Sequence, residues 1–270
     1  SDDRLTRIWD VARYTMRLCM LDHICDCPWR ERVLAGGDLY AENLISYYAF
    51  GDPRLVRKSI RQRFNIQFDD GGIPPSGVYR GFPLFYPKWT AFDGLALMDY
   101  ARLTGDLDLV RELWDGLEKI LAFAEREMVA NPYDLVGDVA GRASHEEWVE
   151  AEKECFLPVT NLPFQQLAAR AAGMARRLDK PDRAAAFEQI ASRLAEGIRR
   201  HLIDEQAGTV KAFRAGKGKR NRPQQFDVGL VAWSDLPVGG EVVDSLFAPG
   251  TSKIGSPYHG LFVVEGLYRQ

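Results

Sequence analysis

Asp26-Cys27-Pro28-Trp29-Arg30-Glu31-Arg32, closed by Gly36-Gly37-Asp38, lies between two apolar helical patterns and belongs to neither. Pro28 disfavours helical geometry at Cys27, and the two glycines end the segment just before a new helix. An irregular connection therefore spans residues 21–37, whereas the next one is only Gly51-Asp52-Pro53. This contrast of long and short connections decides the fold.

On either side, apolar residues recur at the helical period. Leu5, Ile8, Trp9, Ala12, Met16 and Cys19 form one face of a first helix. A second is expected to begin at Asp38 as its N-cap, and a third after Pro53. Further helices are expected over residues 88–103, 107–129, 161–178 and 181–202, then around Phe226 to Trp233, near 241–247, and over 257–268. No convincing strand pattern occurs, so the expected class is all-α. Thr104-Gly105-Asp106 and Asp179-Lys180 are again tight turns, while residues 68–87, 131–159 and 203–222 are long connections. If successive helices run antiparallel, every long connection emerges at one end of the molecule. A ring of helical hairpins, an (α/α)6 barrel, fits that pattern, with a helical solenoid as the structural rival.

The chain has 270 residues and a formal charge of −3, with 46% hydrophobic and 27% charged residues, as in ordinary globular proteins. That balance argues against a nucleic-acid partner, and the basic run from Lys217 to Arg222 reads as a solvated loop. No apolar run is long enough to span a bilayer, and Ser1-Asp2-Asp3-Arg4 is not a signal peptide. The N-terminus reads as cut from something longer. Cys19, Cys25, Cys27 and Cys155 form no disulfide framework or metal-ligand spacing, so reduced thiols, a cytoplasmic location and no metal are expected.

The long connections concentrate carboxylates with Trp29, Tyr79, Phe82, Phe85, Tyr86 and Trp148, the make-up of a sugar-binding face. Taken singly, Asp38 reads as a helix cap and Asp26 as a turn former. Trp29, Trp89 and Trp148 each fit either a core position or a platform for a sugar ring. Asp26, Glu31 and Asp38 together, at spacings of five and twelve, suit acid–base chemistry on a sugar.

The segment from Asp26 to Arg32, with Asp38 following, closely resembles the signature of glycoside hydrolase family 78, the α-L-rhamnosidases. Tyr100-Ala101-Arg102-Leu103-Thr104-Gly105-Asp106 looks like a helix-ending motif of that family, and Ile254-Gly255-Ser256-Pro257-Tyr258 looks like the start of a late barrel helix. The resemblance implies an (α/α)6 barrel over residues 1–270, incomplete at the C-terminus, with about ten of twelve helices present. It implies a glycosidase that hydrolyses terminal α-L-rhamnosides with inversion and needs no cofactor. By position Glu31 matches the general acid, and Asp26 and Asp38 match carboxylates that hold the sugar. Arg30 would set the local charge, and Asp138 matches an Asp that precedes a Trp in the family, where Val139 stands here. Trp89 and Trp148 are candidate substrate contacts by residue type and not by the resemblance. Repulsion from Asp26 and Asp38 would raise the proton affinity of Glu31, and Arg30 or Arg32 would oppose it.

Two departures qualify the match. Leu34-Ala35-Gly36-Gly37-Asp38 lacks the aromatic residue of the family's Gly-Trp-Thr-Gly-Asp, and the family's general base falls beyond Gln270. The chain alone is therefore expected to be inactive. It is also expected to self-associate through an open barrel edge formed by Leu5, Ile8 and Trp9 with Phe262, Val263 and Leu267. A related glycosidase acting on another sugar, and a catalytically silent carbohydrate-binding or scaffold protein, are the alternatives.

Overall fold

The tight connections end their helices by local means. Gly51 (φ 67°) and Gly105 (φ 74°) adopt the left-handed conformation that a side chain would oppose, and Asp179 (φ 56°) does the same between the next pair. Asp106 then locks its turn, accepting from the Tyr100 hydroxyl at 2.7 Å and from Arg57 at 3.3 Å. The computed structural model describes residues 2–77, 84–137, 143–144, 155–214, 219–220, 225–238, 240–251, 253 and 258–269.

The helices are α1 (Asp3–Cys19), α2 (Gly36–Phe50), α3 (Arg54–Asn65), α4 (Pro87–Thr104), α5 (Asp108–Glu112), α6 (Trp114–Val129), α7 (Pro158–Arg177), α8 (Pro181–Leu202), α9 (Gln225–Trp233), α10 (Gly240–Asp244) and α11 (His259–Arg269). Proline opens α4, α7 and α8, where its missing N–H costs nothing. Neighbouring contacts run α2 to α4, α4 to α7 and α7 to α9, forming an inner wall. Its helices are apolar nearly all round: α4 buries every residue from Pro87 to Ala101. By contrast α3, α6 and α8 bury a single stripe, as outer helices of a two-layered ring do. The molecule is mostly helical, a six-hairpin type of ring.

Pairing between the long connections shows that they share one end. Ala35 bridges Ser76, linking the first long connection to the second. Strand β1 (Leu84–Phe85) pairs in parallel with β2 (Ala143–Ser144), linking the second to the third. Strand β3 (Cys155–Phe156) pairs with β6 (Ala212–Arg214), and so joins the fourth. A further pair, β4 (Ile203–Asp204) with β5 (Thr209–Val210), folds the fourth connection on itself, and β7 (Lys219–Arg220) extends β6. The solenoid is excluded, because a solenoid has no reason to tie its loops in succession around one rim.

Several expectations need correction. Short strands do occur, but each has two or three residues, too few for an alternating pattern to register. Asp38 is not the N-cap of α2: the helix starts earlier, with Ala35 as cap, and Asp38 lies in its first turn. The fifth helix is broken at Leu113 into α5 and α6. Part of the basic run, Lys219–Arg220, is strand rather than loop. On α1 only Met16 and Cys19 are buried, and Leu5, Ile8 and Trp9 are exposed as foreseen for an open edge. Phe262, however, belongs to the core and stacks on Tyr40 and Phe92. Between α1, α2 and α11 lies a cleft of about 850 Å³ lined by Trp9, Leu44, Tyr48, Leu261 and Tyr268, with Asp99 also in its lining.

Candidate functional site

The loop that carries Glu31 is closed by reciprocal hydrogen bonds. The Asp26 amide donates to the Val33 carbonyl at 3.0 Å, and the Val33 amide donates to Asp26 Oδ1 at 2.9 Å. Arg32 takes a left-handed conformation (φ 54°), uncommon outside glycine, which turns the chain directly after Glu31. The Ile24 amide donates to Ser59 Oγ at 3.1 Å, tying the loop to α3.

A buried ion pair anchors the far end of the loop. Arg63 on α3 reaches Asp93 on α4 through Nε at 2.9 Å and Nη2 at 2.8 Å, with side-chain exposures of 0% and 1%. The same guanidinium donates to the carbonyls of Leu34 at 3.3 Å and Pro74 at 2.6 Å. Gly36 and Gly77 complete the clamp, donating to Pro75 and Leu34 respectively. Gly37 then lies against the Trp89 indole, where a Cβ would come within 2.5 Å of Cε2. Glycine at this step lets α2 begin, and Asp38 follow, in contact with that ring.

Glu31 is exposed and held at both oxygens. Oε1 accepts from Arg30 Nε, and Oε2 accepts from the Cys27 thiol at 3.0 Å. The Cys27 sulfur also accepts from the Glu31 amide at 3.3 Å. The thiol hydrogen bond, seconded by Arg30 against a smaller cost of partial burial, holds the Glu31 carboxyl below its ordinary range. The expected upward push from Asp26 and Asp38 falls instead on Glu42. This residue sits one helical turn beyond Asp38 on the same face of α2. Loss of surrounding water, then Asp38, then Asp26, raise the Glu42 carboxyl well above the usual range. The loop and the start of α2 thus carry two carboxyls shifted in opposite directions, Glu31 downward and Glu42 upward.

Of the residues expected from sequence, Asp26, Arg30 and Glu31 lie together on the loop, and Asp38 stands in the first turn of α2, where it acts on Glu42. Trp89 is buried beneath Gly37, its ring tilted against that of Tyr86 with centroids 4.5 Å apart. Trp29 is 90% exposed, free of the core. Asp138 and Trp148 lie outside the described residues. Glu42, Arg63 and Asp93 were not foreseen. Glu42 could have been found from its spacing of four to Asp38, whereas nothing local marks Arg63 or Asp93.

Asp26, Cys27 and Glu31 bring potential metal ligands within 4.8 Å of one another. The Cys27 thiol and the Arg30 guanidinium already engage the Glu31 carboxylate there, so this donor set does not call for a cation. Cys19 and Cys25 are buried thiols; burial pushes Cys19 up to about 12 and also raises Cys25.

Residues 1–220 match the family described as bacterial alpha-L-rhamnosidase 6 hairpin glycosidase domain. Among solved structures, the GH78 family rhamnosidase of Bacillus sp. GL1 superposes with a TM-score of 0.89 at 24% identity, over 99% of this chain and 28% of that one. A rhamnosidase from Klebsiella oxytoca with rhamnose bound gives 0.82 at 20%, over 100% of this chain and 52% of that one. An α-L-rhamnosidase from Dictyoglomus thermophilum gives 0.64 at 15%, over 87% of this chain and 27% of that one. The chain thus spans about half or less of the length of these proteins. No curated protein matches it significantly.

Proposed function

Since the chain belongs to the bacterial α-L-rhamnosidase six-hairpin glycosidase family, we propose that it forms the acid-bearing part of an inverting α-L-rhamnosidase. The observation that carries this reading is the loop at the loop-bearing end of the ring, where Asp26 and Glu31 offer ligand atoms within 4.8 Å of each other and Arg30 holds Glu31. Asp38 stands in the first turn of the helix that follows. Glu31 protonates the departing glycosidic oxygen, Asp26 and Asp38 accept hydrogen bonds from sugar hydroxyls, and a base outside residues 1–270 activates water. In an inverting pair the two carboxyl groups stand on the order of 6.5–9.5 Å apart. The resting Glu31 is ionised and wet. A bound sugar would strip that water and favour the protonated form, which the reaction consumes. Asp138 is retained as a sugar contact by resemblance alone, and Trp148 as an aromatic platform on a long connection. The rhamnose held by the Klebsiella oxytoca protein supports rhamnose as the sugar.

In an enzyme that contains this domain, Glu31→Gln should lower kcat on rhamnosides with poor leaving groups by roughly 10²–10⁴-fold with little change in sugar affinity. Asp38→Asn should weaken binding as well. A Glu31→Gln variant that keeps near-normal kcat refutes the acid role.

Ala35 favours a second reading. It is buried and bridged to Ser76, so it offers no aromatic wall where the family has Trp, which fits a six-hairpin glycosidase for a different sugar. Turnover across a panel of chromogenic glycosides separates the two, and binding without turnover by the full-length protein would indicate a silent carbohydrate-binding module. The 270-residue chain alone should bind sugar without hydrolysing it. The cleft between α1, α2 and α11 should draw a second copy, read by sedimentation. Among the described residues no helix is long and apolar enough to cross a membrane.

A further inference from the structure

The proposed reaction gives Cys27 no task, yet its sulfur contacts both the side chain and the backbone of the residue that carries the acid. Its sulfur donates to Glu31 Oε2 at 3.0 Å and accepts from the Glu31 amide at 3.3 Å, so it grips backbone and side chain of the same residue. The turn that makes this possible is local. Pro28 and Trp29 carry the chain outward, and Arg32 turns it back so that Val33 can pair with Asp26. Cys27 is half-buried, whereas Glu31 and Arg30 are exposed.

We propose that Cys27 is a positioning residue for the general acid, fixing the orientation of the Glu31 carboxyl and setting its proton affinity through the thiol. A thiol suits this task because it both donates and accepts. It can donate to the carboxylate and, after Glu31 takes a proton, accept from the carboxylic acid, so the side chain need not swing between the two states. Arg30 cannot do this. A guanidinium only donates and carries charge, so it favours the ionised form alone, and its side chain is 81% exposed and weakly held. The lowered proton affinity of Glu31 accords with this geometry, the thiol being its leading cause.

The proposal rests on Glu31 being the acid, and its test reads the carboxyl directly. Glutamate labelled with 13C at the side-chain carboxyl is introduced into the 270-residue chain. The Glu31 signal is assigned by its loss in Glu31→Gln and followed through a pH titration. In Cys27→Ala the Glu31 midpoint should rise toward the ordinary glutamate value, and in Cys27→Ser, whose hydroxyl also donates and accepts, it should return most of the way to wild type. Unfolding curves taken alongside identify a variant that has lost its fold, in which case Cys27→Ser carries the comparison through the size of its own shift. An unchanged midpoint in a folded Cys27→Ala, or a Cys27→Ser that behaves like alanine, overturns the proposal whether or not Glu31 is catalytic. Near-normal kcat in Glu31→Gln of the full-length enzyme instead removes the acid reading, and the catalytic significance of Cys27 with it, while leaving the titration result intact.

Discussion

Arg63→Leu should be among the most damaging single substitutions in this chain, and the reason is what it leaves behind. Arg63 and Asp93 are both essentially inaccessible to water, and two parallel hydrogen bonds of 2.9 and 2.8 Å join them. Removing the guanidinium strands a carboxylate in the interior, which typically costs about 3–5 kcal/mol. The carbonyls of Leu34 and Pro74 lose a donor as well, although Leu34 keeps the Gly77 amide. Against a domain stability of about 5–15 kcal/mol, that loss takes a large share of the total. Urea unfolding followed by tryptophan fluorescence measures it, provided the slope of the transition is unchanged. Adding Asp93→Leu to Arg63→Leu should recover a good part of the loss, because apolar replacement of a whole buried pair is often close to neutral. Hydrogen exchange should show the consequence for the site, with the Gly36 and Gly77 amides losing protection in the single variant. A cost below about 1 kcal/mol for Arg63→Leu, or a double variant no better than the single one, would refute the reasoning.

His259 is buried against Phe226, with ring centroids 3.5 Å apart, and neither ring nitrogen has a hydrogen-bond partner among the described residues. Burial, helped by Lys88, pushes it from 6.5 down to about 3, so the folded state refuses a proton that the unfolded chain accepts. Its contribution to stability is therefore complete above pH 6.5 and is lost toward pH 3 at about 1.4 kcal/mol per pH unit. Urea unfolding of His259→Phe should thus show a flatter decline than wild type between pH 6.5 and 5, and parallel curves would contradict the assignment. Gly37→Ala should cost about 1–3 kcal/mol by forcing the Trp89 indole aside, and pairing it with Trp89→Leu should relieve the cost. Thermal melts that show no penalty for Gly37→Ala in the wild-type background would count against that contact.

The hairpins and their turns were legible in the linear chain because their causes are local. Helical periodicity at residues such as Leu109, Leu117 and Phe123, proline at a first turn, and Gly51 or Gly105 at a left-handed stop each act within a few residues. Alternation of long and short connections then implied a shared end, and the pairings of Ala35 with Ser76 and of β1 with β2 bear that out. The nearness of Asp26 to Glu31 was legible for the same reason, since one short loop holds both. Only the tertiary structure decided the rest. On α1 only Met16 and Cys19 of the apolar face are buried, a division along one helix that its periodicity does not show. Phe262, expected on an open flank, is drawn inward by Tyr40 and Phe92 from α2 and α4. Repulsion from Asp26 and Asp38 was assigned to Glu31 but falls on Glu42, because electrostatic effects depend on burial and distance rather than on position in the chain. The Arg63–Asp93 clamp joins residues 30 apart on two helices. Neither residue is recognisable as buried until those helices pack, since an arginine in an outer helix ordinarily faces water.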